Sequence, residues 1–299
     1  MVFKHCMFST SSFADDSNGR RSFALSFQFQ VLKNEVARCM DLIVKWSHIH
    51  FMKINPDKTE LLLLYPPSLA REVIIKGIFI GEQCIRFSDF VKNVGVWLDK
   101  NLSLDKQVNT IVAHCYKILR DIGRIKKYLQ IPDLEELVHA VISSRLDYCN
   151  CLYVNIGKDI IYKLQKLQNA AARLILAKRL MFSATRALRQ LHWLNVETRI
   201  TFKILLLVHK AIRGKYPDNV TIAYKHFNGR PEDWLLLETP TFKTKYGKRT
   251  FAYNGPRLWN ALPVALRGEE DTEKFKKSLK TLLFDGHGEL KRRAFKYQT

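Results

Sequence analysis

Phe13-Ala14-Asp15-Asp16 is the stretch on which the reading of this chain turns. Two adjacent carboxylates behind an aromatic and a small residue fit a tight turn between two strands. On such a turn, paired aspartates offer hard oxygens to Mg²⁺, which takes carboxylate ligands and keeps several waters. Two ions held that way clamp the attacking and leaving oxygens of a phosphoryl transfer. Aspartate pairs are equally at home in solvated turns, so the dipeptide alone leaves both readings open. The lead-in is weak for a strand of this kind, because buried strands are apolar runs and Ser9-Thr10-Ser11-Ser12 stands before Phe13. Phe23-Ala24-Leu25-Ser26-Phe27 is the expected returning strand, with Asn18 and Gly19 supplying positive φ in the connection.

Outward from the turn, Val31, Leu32, Val36, Cys39, Leu42, Ile43 and Trp46 recur at helical spacing and predict one amphipathic helix packed on a sheet. Asn55-Pro56-Asp57 is a turn signal. It opens on a short apolar strand, Leu61–Leu64, stopped by Pro66-Pro67. Val73–Ile80 and Gln83–Phe87 read as a hairpin across Gly81-Glu82. Phe90–Leu98 reads as a further strand, with Gly95 where another backbone approaches or where the strand bulges.

Past Lys100 the periodicity is helical. Ser103 is a good N-cap. Leu104, Val108, Ile111, Cys115, Ile118, Ile122 and Ile125 follow in alternating steps of four and three, giving one long apolar face. Lys117, Arg120, Arg124 and Lys127 share those steps and form a parallel basic stripe. Laid along a phosphate backbone, such a stripe displaces condensed counterions; the plainer reading is a solvated face. Pro132-Asp133 opens a second helix through about Tyr148, with Leu134, Leu137, Val138, Val141 and Ile142 inward. A third runs from about Asp159 to Lys178, and a fourth from Val196 to Arg213 ends at Gly214. Lys215 to Thr244 has little periodicity. Lys248 and Arg249 then fall among the aromatics Tyr246, Phe251 and Trp259, an arrangement that stacks bases and holds phosphates or else builds a small aromatic core. A last amphipathic helix, Glu273–Phe284, precedes a basic tail expected to be disordered.

The charge balance sharpens the choice of partner. Against 28 acidic residues stand 49 lysines and arginines, a net charge of +21, with most of the excess beyond residue 100. A polyanion is the expected partner. With 47% hydrophobic and 26% charged residues the chain reads as globular. Its six cysteines include no Cys-x-x-Cys pair, and no apolar run approaches the length of a bilayer span, so a soluble, reduced, intracellular chain is expected, with no membrane partner. Cys149 and Cys151 with a distant His192 lack the ligand number and spacing of a zinc site. Walker-type and Gly-x-Ser-x-Gly loops are absent.

The order Phe13-Ala14-Asp15-Asp16, then Ile54-Asn55-Pro56-Asp57-Lys58-Thr59-Glu60, then Val91-Lys92-Asn93-Val94-Gly95-Val96-Trp97-Leu98-Asp99 resembles the distal palm of reverse transcriptases of non-LTR retrotransposons, the jockey-like animal elements above all. The resemblance continues through Ser144-Arg145-Leu146-Asp147-Tyr148-Cys149-Asn150 and the Leu164–Leu176 segment, and covers nearly the whole chain. It implies an α+β chain: a partial antiparallel palm sheet with one packed helix over residues 1–100, a mainly α-helical thumb-like bundle over 101–214, and an irregular and helical C-terminal segment over 215–299. Asp15 and Asp16 would ligate Mg²⁺. Lys58 would assist the leaving pyrophosphate of a dNTP, the strand around Gly95 would grip a primer, and RNA or an RNA/DNA duplex would be the partner. Lys58 is otherwise a solvated turn lysine. The family also uses a third carboxylate from an earlier strand and fingers that seat template and nucleotide, which the residues before Phe13 do not supply. Catalysis is therefore expected to be lost and duplex binding to remain. The alternatives are a non-catalytic nucleic-acid-binding module or a degenerate relic.

Overall fold

A computed structural model describes residues 9–13, 16–20, 29–52, 54–65, 77–80, 83–177, 183–215, 222–226, 229–230 and 234–295. The chain is mixed α and β and divides into two compact units, Met1–Gln107 and Val108–Thr299.

The first unit holds three two-stranded antiparallel ribbons, separate from one another among the described residues, in place of one continuous sheet. In the first, β1 (Ser9–Phe13) pairs with β2 (Asp16–Arg20), and Phe13 stands opposite Asp16. The serine-rich segment is thus a strand after all. Asn18 and Gly19 pair inside β2 with Ser11 and Thr10, so they are strand residues and not the turn. The strand expected at Phe23–Phe27 lies outside the described residues, and β2 is the returning strand. Helix α1 (Phe29–Ile49) buries Cys39 and Ser47, whose Oγ donates to the Ile43 carbonyl at 2.8 Å. Trp46 does not face inward; it is 38% exposed and packs on His50. The second ribbon pairs β3 (Gly77–Ile80) with β4 (Gln83–Arg86) as the hairpin expected there. Of the expected strand Leu61–Leu64, only Leu61 bridges to another segment, at Phe87.

Phe90–Leu98 is a hairpin and not a single strand. β5 (Phe90–Asn93) turns through Val94-Gly95 into β6 (Val96–Asp99). Both turn residues have positive φ, 44° and 80°, as a two-residue type I′ connection demands. Gly95 is there for that conformation; Val94, β-branched, holds it at a steric cost. Asp99 anchors the exit. Its carboxylate accepts from the backbone N–H groups of Asn101, Ser103 and Leu104 at 3.1, 3.0 and 2.8 Å, and it is only 5% exposed. This fixes a loop in which Leu102 and Leu104 both take positive φ. Burial alone pushes the Asp99 carboxyl up, but the bonds from Ser103, Leu104 and Asn101 outweigh it and hold the group below its ordinary 3.8. A lowered native value means that the stabilisation is complete above pH ~4 and drains away as pH falls through that lowered value. Asp99→Ala is expected to cost about 2–3 kcal/mol, the price of three backbone donors without an acceptor. Asp99→Asn should flatten the acid limb of the urea midpoint followed by tryptophan fluorescence. An unchanged acid limb would contradict this role for the carboxylate.

The second unit is helical. It contains most of α2 (Asp105–Ile125), then α3 (Ile131–Val138) and α4 (Ser144–Asp147), which are joined by a π turn at His139–Ser143. It continues with α5 (Lys158–Ile175), α6 (Ala184–Gln190), α7 (Val196–Ile212), α8 (Phe251–Asn260), α9 (Val264–Arg267) and α10 (Thr272–Phe295). The π turn admits an extra residue, which is why Ile142 and Ser143 are both buried and Val141 is not. Carbonyls around the π turn find other donors: Ser144 Oγ bonds the Ala140 carbonyl and Arg145 Nη1 the Val141 carbonyl.

Helix α7 is central. Asn195 caps it by accepting from Thr198 N at 2.9 Å, and Gly214, at φ 64°, follows its end. Ile204, Leu205 and Val208 are buried, and the helix packs against α5, α8 and α10. Gly255 on α8 permits that approach, since a Cβ there would lie 2.9 Å from Val208 Cγ2. The described residues of 215–244 are irregular, with a bridge between Tyr224 and Leu237. The expected disordered tail is instead helical: α10 breaks at Gly286 and continues, with Leu290 and Ala294 buried.

Candidate nucleic-acid interface

Helix α2 shows what its periodicity decides. Val108, Cys115, Leu119 and Ile122 are buried, while Ile111 and Ile118 are only partly so. Ile125 is 47% exposed, not inward as expected. The opposite side carries the cations. Lys117, Arg120 and Arg124 are exposed, and at 100° per residue they fall within about 60° of arc along roughly 10 Å of axis. Lys127 is exposed as well, but on the 3₁₀ turn Lys126–Tyr128 that follows the helix. Arg124 pairs with Asp121 at 3.1 Å, an exposed pair that little stabilises the fold but offsets part of the stripe's charge.

The 3₁₀ turn carries a feature the sequence reading passed over. Tyr128 is 76% exposed, with Lys127 Nζ 4.8 Å from its ring centroid, and Ile131 beyond it is 57% exposed. The signal was an aromatic residue directly behind adjacent lysines where the helical period breaks.

Lys248 and Arg249 lie on the 3₁₀ turn Gly247–Arg249. Lys248 is exposed, and its carbonyl accepts from Asn155 and Asn254 at 3.1 and 2.9 Å; Arg249 is partly buried and engaged. Of the neighbouring aromatics, Tyr253 and Trp259 are core, whereas Tyr246 and Phe251 are half-buried. Trp259 is fully buried, stacks with Phe275 at 5.9 Å and donates to the Leu235 carbonyl, and Phe275 stacks on His209 at 4.1 Å. Burial, with Arg213 and Lys215 nearby, pulls the His209 imidazole below its ordinary value, against the bond to the Glu269 carbonyl. Asn260 grips Leu237 N–H and C=O at 2.8 Å each, as a strand neighbour would.

The two motifs in α4 and α5 converge on the start of α7. Asp147 receives Arg199 bidentately, Nε at 2.8 Å and Nη2 on its other oxygen, with Asn150 adding a third bond. Gln168 donates to the Leu194 carbonyl at 2.8 Å, and Gln165 accepts from Val196 N at 2.9 Å. Their polar residues are clamps between helices, which spacing alone did not disclose.

In the first unit, Asp15 and the side chain of Asp16 lie outside the described residues; only the Asp16 backbone, closing the hairpin opposite Phe13, is defined. Lys58 sits exposed on the 3₁₀ turn Pro56–Lys58, which Asn55 organises by accepting from Asp57 N and Lys58 N. That turn and the Gly95 hairpin are neighbours, since Glu60 Oε2 accepts from Lys92 N at 3.3 Å. Trp97 is flanked by cations, with Lys106 Nζ at 3.7 Å and Lys92 Nζ at 5.8 Å from its ring centroid. No group of three or more potential metal ligands occurs among the described residues, and no helix there is long and apolar enough to cross a membrane. Comparison with family models, curated proteins and solved structures finds no match to this chain.

Proposed function

We propose that this chain is the distal part of a retrotransposon RNA-directed DNA polymerase and that it holds RNA or an RNA/DNA duplex along α2. The exposed row of Lys117, Arg120 and Arg124, continued by Lys127, carries the proposal: four cations in file match the regular spacing of a phosphate backbone. The sequence motifs support the polymerase lineage, and the adjacency of the Lys58 turn to the Gly95 hairpin fits a shared primer-holding region. On this reading Asp15 and Asp16 take Mg²⁺ and Lys58 meets the pyrophosphate of a dNTP, in an intracellular setting, once a third carboxylate completes the site.

A non-catalytic binding module is the second reading. It is favoured because Lys117 to Lys127 and Lys248 all belong to one compact unit. Primer extension with and without Mg²⁺, on the wild type and on Asp15→Ala with Asp16→Ala, separates the two. Extension that needs the metal and vanishes in the double variant supports the polymerase. Duplex binding that survives the double variant, with no extension from either protein, supports the module. Loss of duplex binding in the double variant would move the interface away from α2.

A further inference from the structure

The second unit contains a groove of about 550 Å³ bounded by α5, α6, the start of α7 and α10. Its floor is apolar: Leu188, Trp193, Leu194 and Leu283 line it and are 8%, 6%, 7% and 2% exposed. Its rim is aromatic and basic. Tyr162 lines it and is 59% exposed; Lys158 and Arg189 line it too, and Lys166 Nζ lies 4.6 Å from the Tyr162 ring centroid. Against the two lining cations stands one lining acid, Glu197, and Lys166 adds a further cation beside Tyr162. Asn169 accepts from Gln165 Nε2 at 2.8 Å, and its own Nδ2 bonds none of the described residues, leaving an amide donor in the groove.

We infer that this groove binds an unpaired segment of single-stranded nucleic acid, with Tyr162 stacking a base and Lys158, Lys166 and Arg189 holding the flanking phosphates. Single-strand sites elsewhere combine such features, an aromatic platform beside a cationic track. The volume lies in the range of roughly 300–1,000 Å³ that small ligands occupy, enough for a nucleotide. A duplex is the wrong shape for it. Its bases are stacked inward and only phosphates and groove edges face out, so it has no apolar surface to lay on a concave apolar floor. The α2 stripe has the complementary character, convex and cationic, and the two sites take paired and unpaired portions of one polyanion. This inference deepens the proposed nucleic-acid binding and rests on it only for the polyanionic class of ligand.

The test uses the full chain and two fluorescent probes, an oligouridine single strand and a blunt RNA hairpin, each titrated by anisotropy. Tyr162→Ala is expected to weaken oligouridine binding roughly tenfold, the usual loss of one base–aromatic stack, while Tyr162→Phe retains it. Arg189→Ala should lower both affinity and salt dependence for the single strand. Hairpin affinity should change by less than about twofold in all three variants. Both residues are exposed, so unchanged thermal melting verifies the fold. Oligouridine binding that is indifferent to Tyr162→Ala and Arg189→Ala, or equal losses on both probes, would overturn the inference. If the wild type binds oligouridine through Tyr162 yet ignores the hairpin, the duplex reading of α2 falls and this site stands.

Discussion

Replacing Lys117, Arg120, Arg124 and Lys127 together by alanine is expected to lower affinity for an RNA duplex by about two orders of magnitude in moderate salt. The expectation follows from counting. Each neutralised phosphate contributes roughly 0.7–0.9 to the slope of log K against log salt, so four contacts amount to a slope near −3. The wild type should therefore lose about a hundredfold between roughly 50 and 200 mM salt, and the quadruple variant should be nearly flat by comparison. All four side chains are exposed, and surface changes of this kind move stability by less than about 0.5 kcal/mol, so melting should hold. Asp121→Asn supplies the opposite sign. It removes the carboxylate that engages Arg124 at 3.1 Å and should strengthen binding. A quadruple variant with the same salt slope as the wild type would show that the row is only a solvated face.

How much of this was legible in the sequence depended on which physical rule governed each stretch. Period and capping located α7 and its Gly214 end closely, because those signals are local. The α2 stripe was legible for the same reason. Register errors arose where a local exception intervened: the π turn at His139–Ser143 shifted the inward face, and Val94, a residue that resists positive φ, concealed the hairpin that Gly95 completes. The clamps escaped notice because they are long-range. Asp147 meets Arg199 fifty-two positions on, and Trp193 Nε1 finds Glu135 across fifty-eight. A pattern rule sees neither. The groove at Tyr162 likewise depends on four helices and could not be read from any one of them. The same limit explains Trp259: in sequence it sits among basic residues and fits base stacking and a small aromatic core alike, and burial, a property of the neighbours that assemble around it, decides for the core.

Trp259→Ala is accordingly expected to act on stability, by about 3–5 kcal/mol, as large aromatic truncations in a core do. Trp259 has no exposed surface, packs its indole beside the stacked His209 and Phe275 rings, and satisfies the Leu235 carbonyl at 2.9 Å. Truncation leaves a cavity and deprives that carbonyl of its donor. In a unit of this size the loss corresponds to a fall in melting temperature of roughly 10 °C or more. Trp259→Phe separates the two components: it keeps an aromatic face against Phe275 but cannot donate, and should cost the smaller amount of about 1–2 kcal/mol. Were Trp259 a base-stacking residue, the alanine variant would melt like the wild type and bind nucleic acid more weakly. Burial requires the reverse, an early-melting protein that, kept well below its transition, binds an RNA hairpin with wild-type affinity and an undiminished salt slope.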